Sequence, residues 1–241
     1  WRIVVHEEKK LAGLPETAKE AARQTAIEKL GTEKGKSSWV FTLHAPSMLP
    51  VLQYLEDDDI RRKVWQASDS LCVNDPHANE PLIRKIILLR QEKSEILGKN
   101  DFADVVLSRR MAKNGEKADE FIMQLHEKTI PFFNNENREL EEFKANKTNQ
   151  DTELLEPWEV AYWSEKLKKE RYDFDSEDLR PFFPIQSVLE GMFELTSKVF
   201  GLKIEERPTK FEDQVFEYGN NSDAVPQSVW HPEVRFYDLF D

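Results

Sequence analysis

Apolar residues recur every three or four positions along most of this chain, and that spacing predicts a series of amphipathic helices. From Glu16 to Leu30, Ala18, Ala21, Ala22, Ala26, Ile27 and Leu30 mark one stripe, with Pro15 at its start and Gly31 just past its end. Ser47 is placed to cap a short helix running through Leu55, and Asp57 and Asp58 favour the start of the next, whose Ile60, Val64, Ala67 and Leu71 share a face. Asn79 is a candidate cap for a helix bearing Ile83, Ile86, Ile87, Leu89, Ile96 and Leu97, closed by Gly98. A shorter helix is predicted over Phe102 to Arg110 and a long one over about Glu116 to Ala145, with a kink or two abutting helices at Pro131. Glu159 to Lys169 reads as helix, as does Ile185 to Phe200, entered at Pro184 and stopped by Gly201.

Period-two alternation is confined to short runs. Strands are predicted at about 39–43, 202–206 and 233–240. Residues 207–227 are polar and turn-rich, which suggests a mobile surface loop. The fold class is therefore mainly α, a helical array with a few short strands. The expected division is a helical region over 1–206 with one short strand pair, a polar loop over 207–230 and a strand over 231–241.

Composition narrows the functional classes. With 241 residues the chain can bury a real core, and with only 8 glycines it does not resemble a glycine-punctuated β-sandwich or barrel. The net charge of −12 argues against a nucleic-acid partner, which needs a basic face for phosphates. Apolar runs such as Ile86-Ile87-Leu88-Leu89 fall far short of the ~20 residues of a membrane span. The single cysteine, Cys72, excludes an internal disulfide and suits a reducing, cytoplasmic setting; it reads as a small buried helix residue, with His77 the nearest base for any nucleophilic role.

Candidate chemistry is sparse. Zinc hydrolysis on a helix needs H-E-x-x-H, because ligands at i and i+4 share a face and the glutamate sits beside the metal-bound water. His6-Glu7-Glu8-Lys9-Lys10 has a lysine at the second ligand position, and His126-Glu127-Lys128-Thr129-Ile130 an isoleucine. His44, His77 and His231 are scattered. Carboxylates gather at Asp57-Asp58-Asp59 and at Asp173, Asp175, Glu177 and Asp178, where helix starts call for them anyway. Nothing follows the glycine-rich phosphate-binding patterns or the G-x-S-x-G nucleophile elbow. No catalytic, cofactor-binding or metal residue is assigned. The dense aromatic group Trp158, Tyr162, Trp163, Tyr172, Phe174, Phe182 and Phe183 reads mainly as packing between helices, with one or two rings free to line a peptide groove.

One stretch says more. Pro157-Trp158-Glu159-Val160-Ala161-Tyr162-Trp163, running on through Arg171-Tyr172-Asp173-Phe174-Asp175 to Arg180-Pro181-Phe182-Phe183-Pro184, resembles a landmark of the thimet-oligopeptidase, oligopeptidase A and peptidyl-dipeptidase family of zinc metallopeptidases. Gly13-Leu14-Pro15 before an alanine-rich helix, Phe41-Thr42-Leu43-His44, Met111-Ala112-Lys113 and Trp230-His231-Pro232-Glu233 are similar to further landmarks, in family order over about residues 11–241. The stretch 207–227 looks longer than the family's usual connection. The family's H-E-x-x-H is not among these residues, so no ligand or catalytic residue is carried over.

The resemblance implies a helical fold with a deep channel between two halves and a small sheet near the active site. The expected function is a portion of a zinc-dependent oligopeptidase that hydrolyses short peptides, this chain forming part of the channel wall and being inactive alone, with zinc bound only by the full-length parent. A start at Trp1 and a stop before the zinc motif fit an excised piece, whose newly exposed face favours self-association. The alternative is a non-catalytic helical module that binds peptides or a protein.

Overall fold

The computed structural model describes residues 1–74, 76–212, 214–216 and 225–241. It falls into two compact units, Trp1–Phe174 and Asp175–Asp241.

The first unit is organised around a small two-stranded sheet. Strand β1 (Arg2–Val5) pairs antiparallel with β2 (Trp39–Thr42), with Ile3 opposite Phe41 and Val4 opposite Val40. Helices α1 (Glu16–Leu30), α2 (Thr32–Gly35), α3 (Ala45–Tyr54) and α4 (Asp58–Asp69) complete this region. Its core is Val5, Leu11, Leu14, Ala22, Phe41, Val51, Leu55, Ile60 and Val64. The alanine stripe of α1 lets backbones approach closely, and Gly35 exploits that approach. A Cβ there would lie 2.4 Å from the Ile27 Cα. Gly13 is similarly constrained, since its φ is +87° and a Cβ would lie 2.2 Å from the Tyr54 carbonyl oxygen.

Four further helices follow in this unit: α5 (Glu80–Ile96), α6 (Phe102–Leu107), α7 (Gly115–Thr148) and α8 (Pro157–Tyr172). Asp101 and Asn114 cap α6 and α7, accepting from the Asp104 and Lys117 amides. The 34 residues of α7 span about 50 Å. Its C-terminal part packs against α8, where Leu140 and Phe143 meet Tyr162, Trp163 and Leu167.

The second unit begins with a 3-10 turn, Ser176–Phe182, followed by α9 (Ile185–Phe200). Strand β3 (Lys203–Arg207) pairs antiparallel with β7 (Phe236–Phe240), Ile204 opposite Leu239. Strands β4 (Thr209–Phe211), β5 (Gln214–Phe216) and β6 (Gln227–Ser228) form a second small sheet in the order β5-β4-β6. Arg235 forks onto the Glu206 carboxylate, and Arg207 donates to Asp238 at 2.8 Å across the β3–β7 pair.

The mainly α reading holds, and the strands near 39–43, 202–206 and 233–240 fall where the alternation placed them. Several details differ. Helix α3 starts at Ala45 with His44 at its N-cap, and the Ser47 hydroxyl instead accepts from the Thr42 amide at 3.0 Å. Helix α4 ends at Asp69, so Leu71 and Cys72 lie beyond it, and Cys72 is exposed with φ +58° rather than a buried helical residue. Helix α6 stops at Leu107, short of Arg110. Helix α7 continues through Pro131 as a single element. The polar stretch 207–227 contains β4, β5 and the first residue of β6, while its residues 213 and 217–224 lie outside the described residues. Strand β1, which pairs with β2, is not among the predicted strands, although Ile3-Val4-Val5 carries the β-branched signal.

Candidate functional site

The resemblance-bearing block places α8 at the junction of α3, α4 and α7. Pro157 opens α8, where its missing N–H costs nothing, and the Glu156 amide donates to the Glu159 carboxylate at 3.0 Å. That carboxylate also accepts from Lys144 of α7 at 2.7 Å, so one acidic side chain starts α8 and ties it to α7. On the adjoining face, Gln53 of α3 donates to Glu165 at 2.9 Å, and Lys168 pairs with the same carboxylate at 2.7 Å.

Arg61 is the central side chain of the α4 contact. It is only 3% exposed, and its guanidinium donates to the Leu55 and Glu56 carbonyls at 2.6 and 3.0 Å. It also reaches Asp58 at 2.6 Å and lies over the Tyr162 ring at 4.1 Å. Asp58 accepts in addition from the Trp158 indole at 3.2 Å, and Trp158 sits against Trp65 with ring centroids 5.8 Å apart. Trp163 meets Tyr162 and Phe143 edge-on. The packing role expected for Trp158, Tyr162 and Trp163 is thus realised. Tyr172 is left exposed at the end of α8, and Phe182 and Phe183 are exposed in the second unit.

Between α7 and α8 runs an open groove of about 380 Å³. It is lined by the apolar side chains of Phe133, Leu140, Val160 and Leu167 and by the charged Glu136, Glu139, Lys168 and Arg171. Arg171 forks onto Glu139 across the groove. That contact raises the Arg171 pKa above its ordinary value. A groove with this lining can hold a peptide segment by side-chain burial and charge pairing.

Each candidate metal ligand has its own local setting. The His6 ring bonds the Ser38 hydroxyl at 2.9 Å, His44 is the α3 N-cap, and His126 is exposed on α7. His77 lies in the loop after α4, and His231 sits 6.4 Å from the Phe211 ring. Asp57 caps α4 by accepting from the Ile60 amide, and Asp59 pairs with Arg62. Asp173 is the left-handed C-cap of α8, and Asp175 accepts from the Glu177 amide. Among the described residues no group of three or more His, Cys, Asp or Glu side chains comes together as a metal site.

Sequence reasoning did not anticipate a second concavity, about 600 Å³, whose lining includes Trp1, Arg2, Lys29 and His44. The three basic groups come from β1, α1 and the start of α3, too far apart in sequence for any spacing rule to join them.

The chain is mainly helical and carries a groove lined by apolar and charged side chains. Its sequence says which family built the scaffold. Residues 51–241 match the model of Peptidase family M3. The whole chain is 34% identical to Oligopeptidase A of Haemophilus influenzae and 31% identical to Oligopeptidase A of Salmonella typhimurium, covering 33% of each. It is 27% identical, over 99% of its length, to the Dipeptidyl carboxypeptidase of Escherichia coli, of which it covers 32%. The chain belongs to Peptidase family M3. It spans about a third of the length of the curated relatives it matches.

Proposed function

We propose that this chain is a non-catalytic portion of a zinc-dependent oligopeptidase, and that it supplies part of the wall of a peptide channel. The complete protein hydrolyses short peptides; this chain alone does not. The observation carrying the reading is a family match over residues 51–241 in a chain whose 241 residues contain no H-E-x-x-H. None of the five histidines is assigned as a zinc ligand; His6 bonds Ser38, His44 sits at the α3 N-cap and His231 lies beside the Phe211 ring. No step of zinc chemistry is therefore assigned to residues of this chain.

What these residues contribute is shape and charge. The α7–α8 groove offers apolar area for side chains, with the Glu139–Arg171 pair in its lining for a charged group. The Arg61 and Lys144–Glu159 contacts hold the helices that form it. Relatives named as cytosolic and organellar oligopeptidases are both known, and no helix among the described residues is long and apolar enough to cross a membrane. We place the parent in the cytoplasm.

The test is zinc content and cleavage of a quenched fluorogenic peptide, for this chain beside the complete chain of which it is a part. Zinc and cleavage in the complete chain alone support the proposal. Chelator-sensitive cleavage by the 241 residues themselves overturns it. Neither activity nor zinc in the complete chain favours the peptide- or protein-binding module.

A further inference from the structure

Helices α5 and α7 carry apolar faces that nothing in their own unit covers. On α5, Leu82, Ile86 and Leu89 lie at i, i+4 and i+7 with Ile83 and Ile87 beside them, and every residue from 80 to 93 is exposed. On α7 every residue from 119 to 129 is exposed, including Phe121, Ile122 and Leu125, and the stripe continues at Phe132. The polar positions of α5 pair along its own surface, Glu80 with Arg84 and Gln91 with Glu95. What is left unsatisfied is the apolar stripe. Single exposed apolar residues are ordinary, but stripes of this length mark contact surfaces.

The two helices are tied into one arm. Arg90 and Lys93 of α5 lie over the Phe102 ring of α6, and Asp104 of α6 accepts from the Gly115 amide that opens α7. We infer that this α5–α6–α7 arm is a docking surface for the remainder of the same polypeptide. The inference rests on the proposed reading of the chain as part of a longer peptidase, and it names the surface and the partner.

Two observations favour this occupant. The matched relatives contain an equivalent of the whole chain, which makes up about a third of their length, so in them such stripes lie within a chain long enough to bury them. In addition, a short peptide substrate occupies a site only during turnover. It cannot keep stripes on helices of 17 and 34 residues out of water between turnovers.

The test uses single cysteines as accessibility probes. Ile86→Cys and Phe121→Cys are made in a Cys72→Ser background, in this chain and in the complete chain, and thiol alkylation is followed site by site by mass spectrometry. Both native side chains are exposed, so neither replacement removes a core contact of this chain. Alkylation is expected to be about 100-fold slower in the complete chain than in the 241 residues alone. Equal, fast rates in both overturn the inference, and so do rates already slow in the short chain, which place the cover within these residues. A rate in the short chain that falls with protein concentration assigns the face to a second copy. Protection in the complete chain that appears only with added oligopeptide assigns it to the channel. Each of these two results also overturns the inference. Because the readout is accessibility, it stands apart from zinc content and cleavage, whose failure would strike the functional reading alone.

Discussion

Helices α4 and α5 are close neighbours in sequence and carry the same kind of pattern, yet they meet opposite fates. Ile60 and Val64 of α4 are buried against Val51, Leu55 and Phe41, whereas α5 buries only Ser94. The difference lies in what surrounds them. Helix α4 has α3 and α8 packed against it, while α5 makes its main contacts with the short α6. Periodicity states how much burial a helix requires and leaves open which element supplies it.

That contrast can be attacked directly. The largest effect is expected in the core. Phe41→Ala, at a side chain 1% exposed, should cost about 3–5 kcal/mol in urea unfolding, whereas Phe121→Ala, at one 61% exposed, should change the stability of this chain by no more than about 0.5 kcal/mol. A comparable loss at Phe121 would mean that the α7 face is already packed.

Next comes the buried arginine. Arg61→Met keeps apolar bulk but leaves the Leu55 and Glu56 carbonyls without their donor, an expected loss of about 2–4 kcal/mol. The matching replacement on the arm, Arg84→Met, breaks only an exposed pair with Glu80 and should cost less than about 0.5 kcal/mol. Gly13→Ala should cost about 2–3 kcal/mol through its left-handed backbone and the approach of the Tyr54 carbonyl. Lys144→Met, which removes the charged donor from the mostly buried Glu159 carboxylate and leaves only the Glu156 amide on it, should lose about 1–3 kcal/mol.

The smallest effect is a pH dependence. Burial, reinforced by Glu206 and opposed by Arg235, raises the Tyr237 pKa above its ordinary 10.0. The neutral phenol is therefore favoured in the folded protein. Its contribution to stability is intact below the ordinary tyrosine pKa and is lost as pH rises through the higher folded value. Tyr237→Phe should flatten the alkaline limb of a stability–pH profile. An unchanged limb would assign the slope elsewhere.

The fold was legible where local rules suffice. Pro184 and Gly201 bracket α9 as expected, and Asp57 caps α4 through the Ile60 amide. Failures fell where contacts are distant in sequence. Ser47 lies three residues past His44, the N-cap of α3, and its hydroxyl accepts from the Thr42 amide on β2. The salt-linked groove of Glu139 and Arg171 joins residues 32 apart, and the Gln53–Glu165 bond joins residues 112 apart. No periodicity reports such pairs. The α8 block was flagged by resemblance, and the structure supplies its physical content: Glu159, Tyr162 and Glu165 contact three different helices.

The central claim is that this chain has a self-sufficient core and an arm whose apolar face awaits cover. Segment-resolved amide hydrogen exchange on the 241-residue chain tests it most directly. Strong protection across β2, α3 and α4, with exchange near the unprotected rate over residues 80–93 and 119–129, is the expected result. Protection of those two segments equal to that of α3 would contradict the account.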